Sequence, residues 1–517
     1  MSSRVWTVGV GVLLFGVCLT AYWATLAPTI TWQHAGTDSG DLVTAAYTLG
    51  IAHPTGYPLF AVLGRAFTLL PIGDVAYRVN LMSAVFAAAA VSIIYATVLT
   101  ECPEGPRKLS AVIIAAASAL LFGFSRTFWS QAVIAEVYSL NAFFVALLVY
   151  LVAVFTFKGT NMRMLWTLSF VLGLSLGNHL SVVLFLPGVL FLLSRRPRPP
   201  LMSALAMAGC FLLGLSVYLY LPLRAAQKPP ISWGAPDTLP GFLWAVSGRI
   251  YGRYAFALPL GHLPGRISSW LNMLVQQFTW LGVALGLVGL WDLWEEKRDY
   301  FVFSMMSFGA VVVYSLMYYT TDSYVYLIPS YLLFSLWIGR GAWFCLHEML
   351  YPWMEERWDL ARSRSHRLSL LSLSLLLFPA FLLCDNWASV DLSDDWTAYH
   401  YAAQVFSETP SEALIIADTD AHIFSLWYWR YVVAPESPQV VVAKGLFHYP
   451  WYKENVGWHH PQIIVPPGNA DPYAQLFALI DANLPHRPIY LTDSDDAILS
   501  WYAHTQVGTL YRLGVKG

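Results

Sequence analysis

The sequence predicts a polytopic α-helical membrane protein that carries a small α/β domain at its C-terminal end. The chain has 517 residues, of which 57% are hydrophobic, 15% aromatic and only 12% charged, whereas charged residues make up about 25% of an ordinary soluble domain. Long apolar segments recur between short polar loops up to about residue 385. Beyond that point short apolar runs alternate with amphipathic stretches, which is the pattern of an α/β unit.

Hydropathy indicates about eleven membrane-spanning helices, since roughly twenty apolar residues cross a bilayer. The predicted spans are Val5–Leu26, Leu81–Leu99, Leu109–Phe124, Leu140–Phe157, Met164–Gly177, Leu180–Leu193, Leu201–Leu221, Trp270–Leu290, Tyr300–Tyr318, Tyr326–Cys345 and Leu368–Cys384. The first has no small-residue cleavage site of the kind that ends a signal peptide, so we interpret it as a retained helix. Leu59–Leu70 is too short to span, and we expect it to lie in the interface, to be re-entrant, or to pack on the bundle.

The basic residues of the short loops set the predicted orientation. They fall on one side of the spans, at Arg4, Arg107, Lys108, Lys158, Arg163, Arg195, Arg196, Arg198, Lys297, Arg298, Arg357, Arg362, Arg364 and Arg367. The positive-inside rule assigns that side to the cytoplasm. The N-terminus is then cytoplasmic, while the loops at 36–58 and 222–269 and the C-terminal domain are extracytoplasmic.

Several function classes find no support in the residues. The formal net charge is −2, and the sequence has no basic stripe that could contact the phosphate backbone of a nucleic acid. We therefore expect no nucleic-acid partner. The sequence has no Walker loop, no GxGxxG, no nucleophile elbow and no HExxH. Its five cysteines lie in or beside apolar segments without a CxxC pair, and no disulfide framework is predicted.

The polar loop at residues 36–58, GTDSGDLVTAAYTLGIAHPTGYP, is the strongest candidate site. Asp38 and Asp41 are three residues apart at the start of a predicted short helix, Ser39–Leu49, so both carboxylates share one face of its first turn. One interpretation is structural, with Asp38 as the N-cap and Asp41 favouring the helix dipole. The other is functional, because an acidic pair at the rim of a membrane domain needs a partner or a task. The two roles are compatible.

Three further polar residues sit among apolar neighbours at predicted external turns. Glu136, in FWSQAVIAEVYSLNAFF, is either part of a functional site or paired with a structural partner such as Arg126. His179, in GLSLGNHLS, is suited to holding a phosphate or donating to a sugar hydroxyl, and equally to capping its turn. Asp322, in YYTTDSYVYLIP, is a further external acid. Convergence of these acids with Asp38 on one rim would indicate a site.

The long loop from Tyr218 to Phe256 interleaves arginines with aromatic residues. Arg224, Arg249 and Arg253 are its cations, and the last two are four residues apart, so one helical face would offer both guanidiniums to a phosphate. The same composition is typical of a membrane-interface loop that binds nothing. The residues leave both interpretations open.

The region after about Asn386 is predicted to alternate strands and helices. Strands are expected at Ala413–Ala417, Gln439–Ala443, Gln462–Val465 and Pro488–Thr492, and helices at Ala421–Val433 and Asp471–Asn483. Asp418 and Asp420 follow the first strand, where open α/β sheets bind ligands, but Asp-Thr-Asp before a helix is also an ordinary capping turn. Seven histidines lie in this region, and no pair has the spacing of a known zinc motif.

The run DSGDLVTAAYTLGIAHPTGYPLF resembles a family of multi-spanning proteins that was first catalogued as a domain of unknown function. That family is now grouped with the GT-C glycosyltransferases and includes the transmembrane O-mannosyltransferase acting on plexin-type receptors. FWSQAVIAEVYSLNAFF and GNHLS are similar to later blocks of the family, so the resemblance covers roughly Trp6 to Phe191. It continues more weakly through YLPLR, ISWGAP and the Asp322 turn.

The resemblance implies a GT-C-like transmembrane catalytic domain at residues 1–385, while the residues at 386–517 themselves predict an extracytoplasmic α/β domain. It further implies inverting transfer of mannose or another hexose from a polyprenyl-phosphate donor to an extracytoplasmic hydroxyl. A phosphate leaving group needs little protonation, so one carboxylate suffices as base. Asp38 or Asp41 would be that base, and Asp38 is slightly favoured. The residues expected to bind donor or acceptor are His53, Tyr57, Glu136, His179, Arg224, Arg249, Arg253 and Asp322, with His179 and the arginines neutralising the phosphate.

The chain departs from the animal members of that family after the bundle. They carry tetratricopeptide-like repeats where this sequence predicts a compact α/β domain, so the acceptor need not be a protein. A cell-surface polysaccharide or other glycan, a lipid and a periplasmic protein are all left open. We expect a bacterial inner-membrane protein; no cofactor is predicted, and a divalent metal is left open. The alternative function is a transporter or flippase of lipid-linked glycans. Two observations argue against it: the acids lie in external loops, and no broken-helix pair is apparent.

Overall fold

The computed structural model describes residues 3–102, 108–159, 161–358, 370–468 and 471–515. Within them a helical bundle is followed by a small α/β domain that packs against one end of the bundle. Several predicted orientation residues, Arg107, Arg362, Arg364 and Arg367, lie outside the described residues, as does Leu368 at the start of the last predicted span.

The bundle is built from α-helices joined by short turns and 3₁₀ segments. Its helices are α1 (Ser3–Ala24), α2 (Ser39–Thr48), α3 (Pro58–Thr68), α4 (Val75–Glu101), α5 (Lys108–Gly123), α6 (Arg126–Ala132), α7 (Val137–Phe157), α8 (Met162–Leu176), α9 (Leu186–Ser194), α10 (Leu201–Leu215), α11 (Tyr220–Ala225), α12 (Leu239–Val246), α13 (Leu263–Glu296), α14 (Arg298–Met317), α15 (Ile328–Phe344), α16 (Tyr351–Trp358) and α17 (Leu377–Val390).

Within the described residues every predicted span lies mainly in helix, but not every helix is long enough to cross a bilayer. Seven helices in the described part of the chain are long and apolar enough, or eight if α5 and α6, bent by 69°, form one broken span. The segments Met162–Leu176 and Leu180–Ser194 are shorter apolar helices, and α15 has 17 residues. The polytopic fold is therefore confirmed, whereas the number of eleven crossings stays a prediction.

Close helix packing in the bundle uses small residues, as expected where lipid gives no hydrophobic drive for association. Gly173 on α8 allows such an approach. A Cβ at that position would overlap the carbonyl oxygen of Phe211 on α10. A larger side chain there would force the two helices apart.

The C-terminal domain is a five-stranded mixed sheet flanked by helices. Its strands are β1 (Leu414–Ala417), β2 (Val440–Ala443), β3 (Ile489–Leu491), β4 (Ala503–Val507) and β5 (Leu510–Gly514), and its helices are α18 (Thr397–Glu408), α19 (Asp420–Tyr428), α20 (Pro450–His459), α21 (Pro472–Asn483) and α22 (Asp496–Trp501). The strand order is β2-β1-β3-β5-β4. The first three strands are parallel, and β5 and β4 complete the sheet as an antiparallel hairpin.

The prediction of a strand at Gln462–Val465 is wrong. Prolines at 461, 466 and 467 flank this segment and cannot donate to a ladder. Its backbone is satisfied instead by a side chain, since the Asn483 amide donates to the Ile464 carbonyl at 2.8 Å and accepts from the Ile464 N–H at 3.0 Å. The hairpin β4–β5 was not predicted, because most residues of β4 are exposed and give no buried apolar run.

The C-terminal domain docks through α19 against α2 and the first loop. A Cβ on Gly40 would overlap the carbonyl oxygen of Phe424, so the two helices approach closely. The Trp32 indole donates to the Ala421 carbonyl at 3.0 Å, and the Tyr428 hydroxyl donates to the Asp74 carboxylate at 2.6 Å. These contacts place the first turn of α19 beside the candidate site.

Candidate active site

The site begins with Asp41, whose carboxylate is fully enclosed. Asp41 lies in the first turn of α2 and is 0% exposed. Its Oδ2 accepts the His53 backbone N–H at 2.9 Å and lies 2.8 Å from His53 Nδ1. Its Oδ1 accepts the Trp233 indole N–H at 3.1 Å. Asp41 therefore holds His53 and Trp233 in place and has no free oxygen turned towards a substrate.

Asp38 has a different environment although it is only three residues away. It occupies the N-cap position of α2, as predicted, but its side chain makes no capping hydrogen bond. Its Oδ2 lies 3.5 Å from His53 Nε2, and 38% of its side chain is exposed. His53 thus bridges a buried carboxylate and an accessible one.

The two ionisable partners shift each other's pKa. Burial raises the pKa of Asp38 to about 6, although the charge of His53 opposes this effect. Burial acts to lower the pKa of His53, but Asp38 and the hydrogen-bonded Asp41 outweigh it and raise that pKa to about 9. Near neutral pH His53 is an imidazolium, and Asp38 is ionised but basic enough to accept a proton.

The other predicted acids surround this pair. Glu136 caps α7, with Oε2 accepting the Val137 N–H at 3.3 Å, while its buried Oε1 has no partner among the described residues. The structure shows no ion pair of Glu136 with Arg126 within the described chain. Burial and the charge of Asp38 raise the pKa of Glu136, and Asp322 contributes to the raised pKa of both acids. The predicted acids therefore converge on one region.

An aromatic cavity of about 460 Å³ lies next to His53. Its walls include Tyr57, His179, Tyr251, Tyr318 and Tyr326. The Tyr57 and His179 rings are nearly parallel, with centroids 6.5 Å apart. Val183 and Phe256, at its edge, are 47% and 62% exposed on the outer face of the bundle. The cavity therefore joins the polar site to an apolar outer surface.

His179 is held in one tautomer. Its Nδ1 accepts the Ser181 backbone N–H at 3.2 Å, so the proton of a neutral ring is on Nε2. Burial lowers the pKa of His179 to about 4, and the ring is neutral at physiological pH. The Nε2–H of the neutral ring is a hydrogen-bond donor, and the role of His179 at a phosphate stays a prediction.

The three predicted arginines do not line the cavity. Arg224 donates to the Leu49 carbonyl at 2.7 Å and so completes the C-terminal end of α2. Arg253 stacks on Tyr254 and donates to its hydroxyl at 2.8 Å, and Arg249 is exposed. The predicted shared helical face is wrong, because a 3₁₀ turn spans only Arg249–Tyr251 and glycines at 248 and 252 interrupt any longer helix.

Two residues of the site lie outside the predicted set. Trp233 fixes Asp41, and its position in the ISWGAP block was the only sequence signal for it. Asp420, at the start of α19, is close enough that its charge contributes to the raised pKa of Asp38. The Asp-Thr-Asp turn after β1 had marked Asp420 as a possible ligand-binding residue, but the sequence alone could not show that this turn lies beside the first loop.

Part of the bundle is similar in sequence to a known protein family. Residues 38–201 match the family model described as the Protein O-mannosyl-transferase TMEM260 N-terminal domain. The mouse (Mus musculus) Protein O-mannosyl-transferase TMEM260 is 29% identical over 454 residues, which cover 83% of this chain and 62% of that protein. The Dictyostelium discoideum protein of the same name is 26% identical over 94% of this chain and 64% of its own length. The chain thus spans less than two thirds of these relatives.

Solved structures share the fold over nearly the whole chain. ArnT from Cupriavidus metallidurans bound to undecaprenyl phosphate aligns over 98% of both chains with a TM-score of 0.59 and 10% sequence identity. The Archaeoglobus fulgidus oligosaccharyltransferase in its apo form aligns over 97% of this chain and 70% of that chain, with a TM-score of 0.53 and 12% identity. At such identities the likeness shows the fold alone, and it confirms the predicted GT-C architecture.

Proposed function

Because the chain is a relative of the TMEM260-type protein O-mannosyl-transferases and has a GT-C fold, we propose that it is an integral membrane glycosyltransferase. It moves mannose or another hexose from a polyprenyl-phosphate donor to an extracytoplasmic acceptor hydroxyl, with inversion at the anomeric carbon. The bundle up to residue 385 carries the chemistry, and the domain at 386–517 helps to enclose the site. The membrane is the bacterial inner membrane, with the N-terminus in the cytoplasm.

The observation that carries this proposal is the unequal pair of carboxylates around His53. Asp41 is saturated by three N–H groups, whereas Asp38 is accessible and lies 3.5 Å from an imidazole nitrogen. A general base must reach the proton that it removes and must have a pKa near the working pH. The exposure of Asp38 and its pKa of about 6 support its role as the base, and Asp41 would position His53.

The aromatic cavity suits the donor. A polyprenyl phosphate combines an apolar chain with an anionic head, and the cavity connects an outer apolar edge at Phe256 to the polar residues Tyr57 and His179. Solved relatives of the fold support this choice, since ArnT from Cupriavidus metallidurans has been crystallised bound to undecaprenyl phosphate. The Nε2–H of His179 would donate to a phosphate oxygen without adding charge.

The reaction follows from these positions. The acceptor hydroxyl transfers its proton to an Asp38 carboxylate oxygen as its own oxygen attacks the anomeric carbon. The bond between that carbon and the phosphate oxygen breaks on the opposite face, and the lipid phosphate leaves with the electron pair. His53 stabilises the ionised form of Asp38 before the step, and hydrogen bonds to the phosphate stabilise the departing charge. Asp38 then releases its proton to water.

The proposal is tested by sugar transfer in purified membranes from a synthetic polyprenyl-phosphate hexose. Asp38→Asn should abolish turnover while donor binding is retained, because the amide cannot accept the proton. Asp41→Asn should reduce turnover through loss of the His53 position. If both variants turn over like the wild type, or if donor is moved across the membrane without being consumed, the transferase assignment fails and the transporter alternative replaces it.

A further inference from the structure

A second cleft of about 400 Å³ lies between the extracytoplasmic loop and helix α20 of the C-terminal domain. The loop contributes Lys228, Ser232 and Asp237 to its walls, and α20 contributes Trp451, Glu454, Asn455 and Trp458. The two sides are fastened together, since the Asn455 amide donates to the Pro229 carbonyl at 3.2 Å. The cleft is thus a built junction between the two parts of the chain.

This cleft is connected to the candidate active site by a row of aromatic rings. The Trp233 ring is 6.3 Å from the His53 ring and 6.0 Å from the Trp451 ring, measured between centroids. Trp233 also holds Asp41 through its indole N–H. A ligand in the cleft therefore lies one buried tryptophan away from the catalytic loop.

The side chains of the cleft have the chemistry of a saccharide site. The ring of Trp458 is 63% exposed, and Lys228 fixes one of its faces by a cation–π contact of 3.6 Å. The indole N–H of Trp451 is buried and has no partner among the described residues. Asp237 and Glu454 are exposed carboxylates without an ion-pair partner in the described part of the chain. Flat aromatic surfaces beside a few hydrogen-bonding groups suit a ligand with apolar ring faces and many hydroxyls.

A peptide fits this cleft less well than a glycan does. Extended peptides commonly bind by adding a strand to an exposed sheet edge, but the cleft is walled by helix α20 and by loop. The carboxylates of Asp237 and Glu454 can each accept hydrogen bonds from two or more hydroxyl groups, and a neutral oligosaccharide presents many such groups along its length. The residues on both sides therefore favour a polyhydroxylated ligand.

We propose that this cleft is an acceptor subsite for saccharide units, so that the substrate to which this chain transfers sugar is a glycan. The proposal rests on the proposed transferase function and names its acceptor class. Stacking on Trp458 would hold a sugar ring of the acceptor, and the carboxylates of Asp237 and Glu454 would fix its hydroxyls. The reactive end of the glycan would then extend past Trp233 towards Asp38.

Binding is measured separately from transfer, on the full-length Asp38→Asn protein in detergent micelles. Mannotriose, cellotriose and a serine- and threonine-rich peptide are titrated while tryptophan fluorescence is recorded. We expect at least one trisaccharide to cause saturable quenching and the peptide to cause none. Trp458→Ala and Glu454→Gln, added to the same protein, should each weaken the trisaccharide binding at least tenfold.

Trp501→Ala is the matched control, because Trp501 is 70% exposed in a different part of the C-terminal domain and its loss should leave binding and transfer unchanged. The thermal unfolding midpoint of each variant excludes misfolding. Quenching by the peptide alone, or trisaccharide binding that survives both cleft variants, overturns the proposal. Failure of the transferase assignment is a separate result, since it is seen as absent donor consumption by the wild type.

Discussion

Replacing His53 by Asn should move the acid limb of the transfer reaction to higher pH. The Asn side chain retains a donor near the position of Nδ1 and can still bond to Asp41, but it carries no positive charge and has no atom at Nε2. At present the His53 charge opposes the effect of burial on the pKa of Asp38, which is about 6. Without that charge the pKa of Asp38 rises further, and a higher pH is needed to ionise the base.

The size of the shift follows from the distance between the groups. Two unit charges 3.5 Å apart interact by about 1 kcal/mol in water and by about 5 kcal/mol at an effective dielectric constant of 20. Since 38% of the Asp38 side chain is exposed, solvent screens the pair, and we expect an effect of about 1 to 2 kcal/mol. That free energy corresponds to about one pH unit.

The assay is the pH dependence of kcat/KM for sugar transfer from a polyprenyl-phosphate hexose. The wild type should gain activity as pH rises through about 6, where Asp38 ionises. In His53→Asn the acid limb should lie near pH 7. His179→Asn is the control, because that ring is already neutral and its loss should raise the donor KM without moving the acid limb. An acid limb that stays at about 6 in His53→Asn refutes the assignment of Asp38 as the base.

Three further outcomes are expected from the same structure. Asp41→Asn should destabilise the protein by about 3 kcal/mol or more, because it breaks a buried charge pair. Asp38→Asn should change stability by less than about 1 kcal/mol. Thermal unfolding of both variants in detergent measures the difference. The pKa of His53 is raised from 6.5 to about 9, so its stabilising contribution is complete below about 6.5 and is lost as pH rises through about 9. The wild-type unfolding midpoint should therefore fall over that interval, and that of Asp41→Asn should fall less. Gly40→Val should separate α19 from α2 and lower the rate of sugar transfer. Gly9→Val is the control and should do neither, because a Cβ at that position meets nothing within 4 Å. Proteolysis near Asp420 measures the separation.

The sequence was most informative where one local pattern decides the outcome. The apolar runs located the helices because each of them is long and continuous, and the parallel strands β1 to β3 were found because they are short, buried and bounded by turns. The carboxylates of the first loop were found because charges beside membrane helices are unusual. The number of crossings was less accessible, since a helix of 17 residues that lies inside a bundle has the same composition as one that spans.

The missed parts of the site depend on contacts between distant segments. Nothing in the residues around Asp41 indicates that its partner is Trp233, which lies 192 positions along the chain. The difference between Asp38 and Asp41 cannot be seen in the local sequence, because both are acids at the start of one helix. It is produced by the return of the chain at His53 and by the indole of Trp233, which together enclose one carboxylate and leave the other accessible.

The docking of the C-terminal domain affects the pKa of Asp38, the proposed base. The close approach at Gly40 brings the first turn of α19 to the first loop, and the charge of Asp420 there contributes to the raised pKa of Asp38. The domain is therefore part of the electrostatic environment of Asp38. With α19 docked, the repulsion between the two carboxylates makes Asp38 a stronger base. An acceptor that moved α19 away would lower that basicity, because the repulsion falls as the distance between the carboxylates grows.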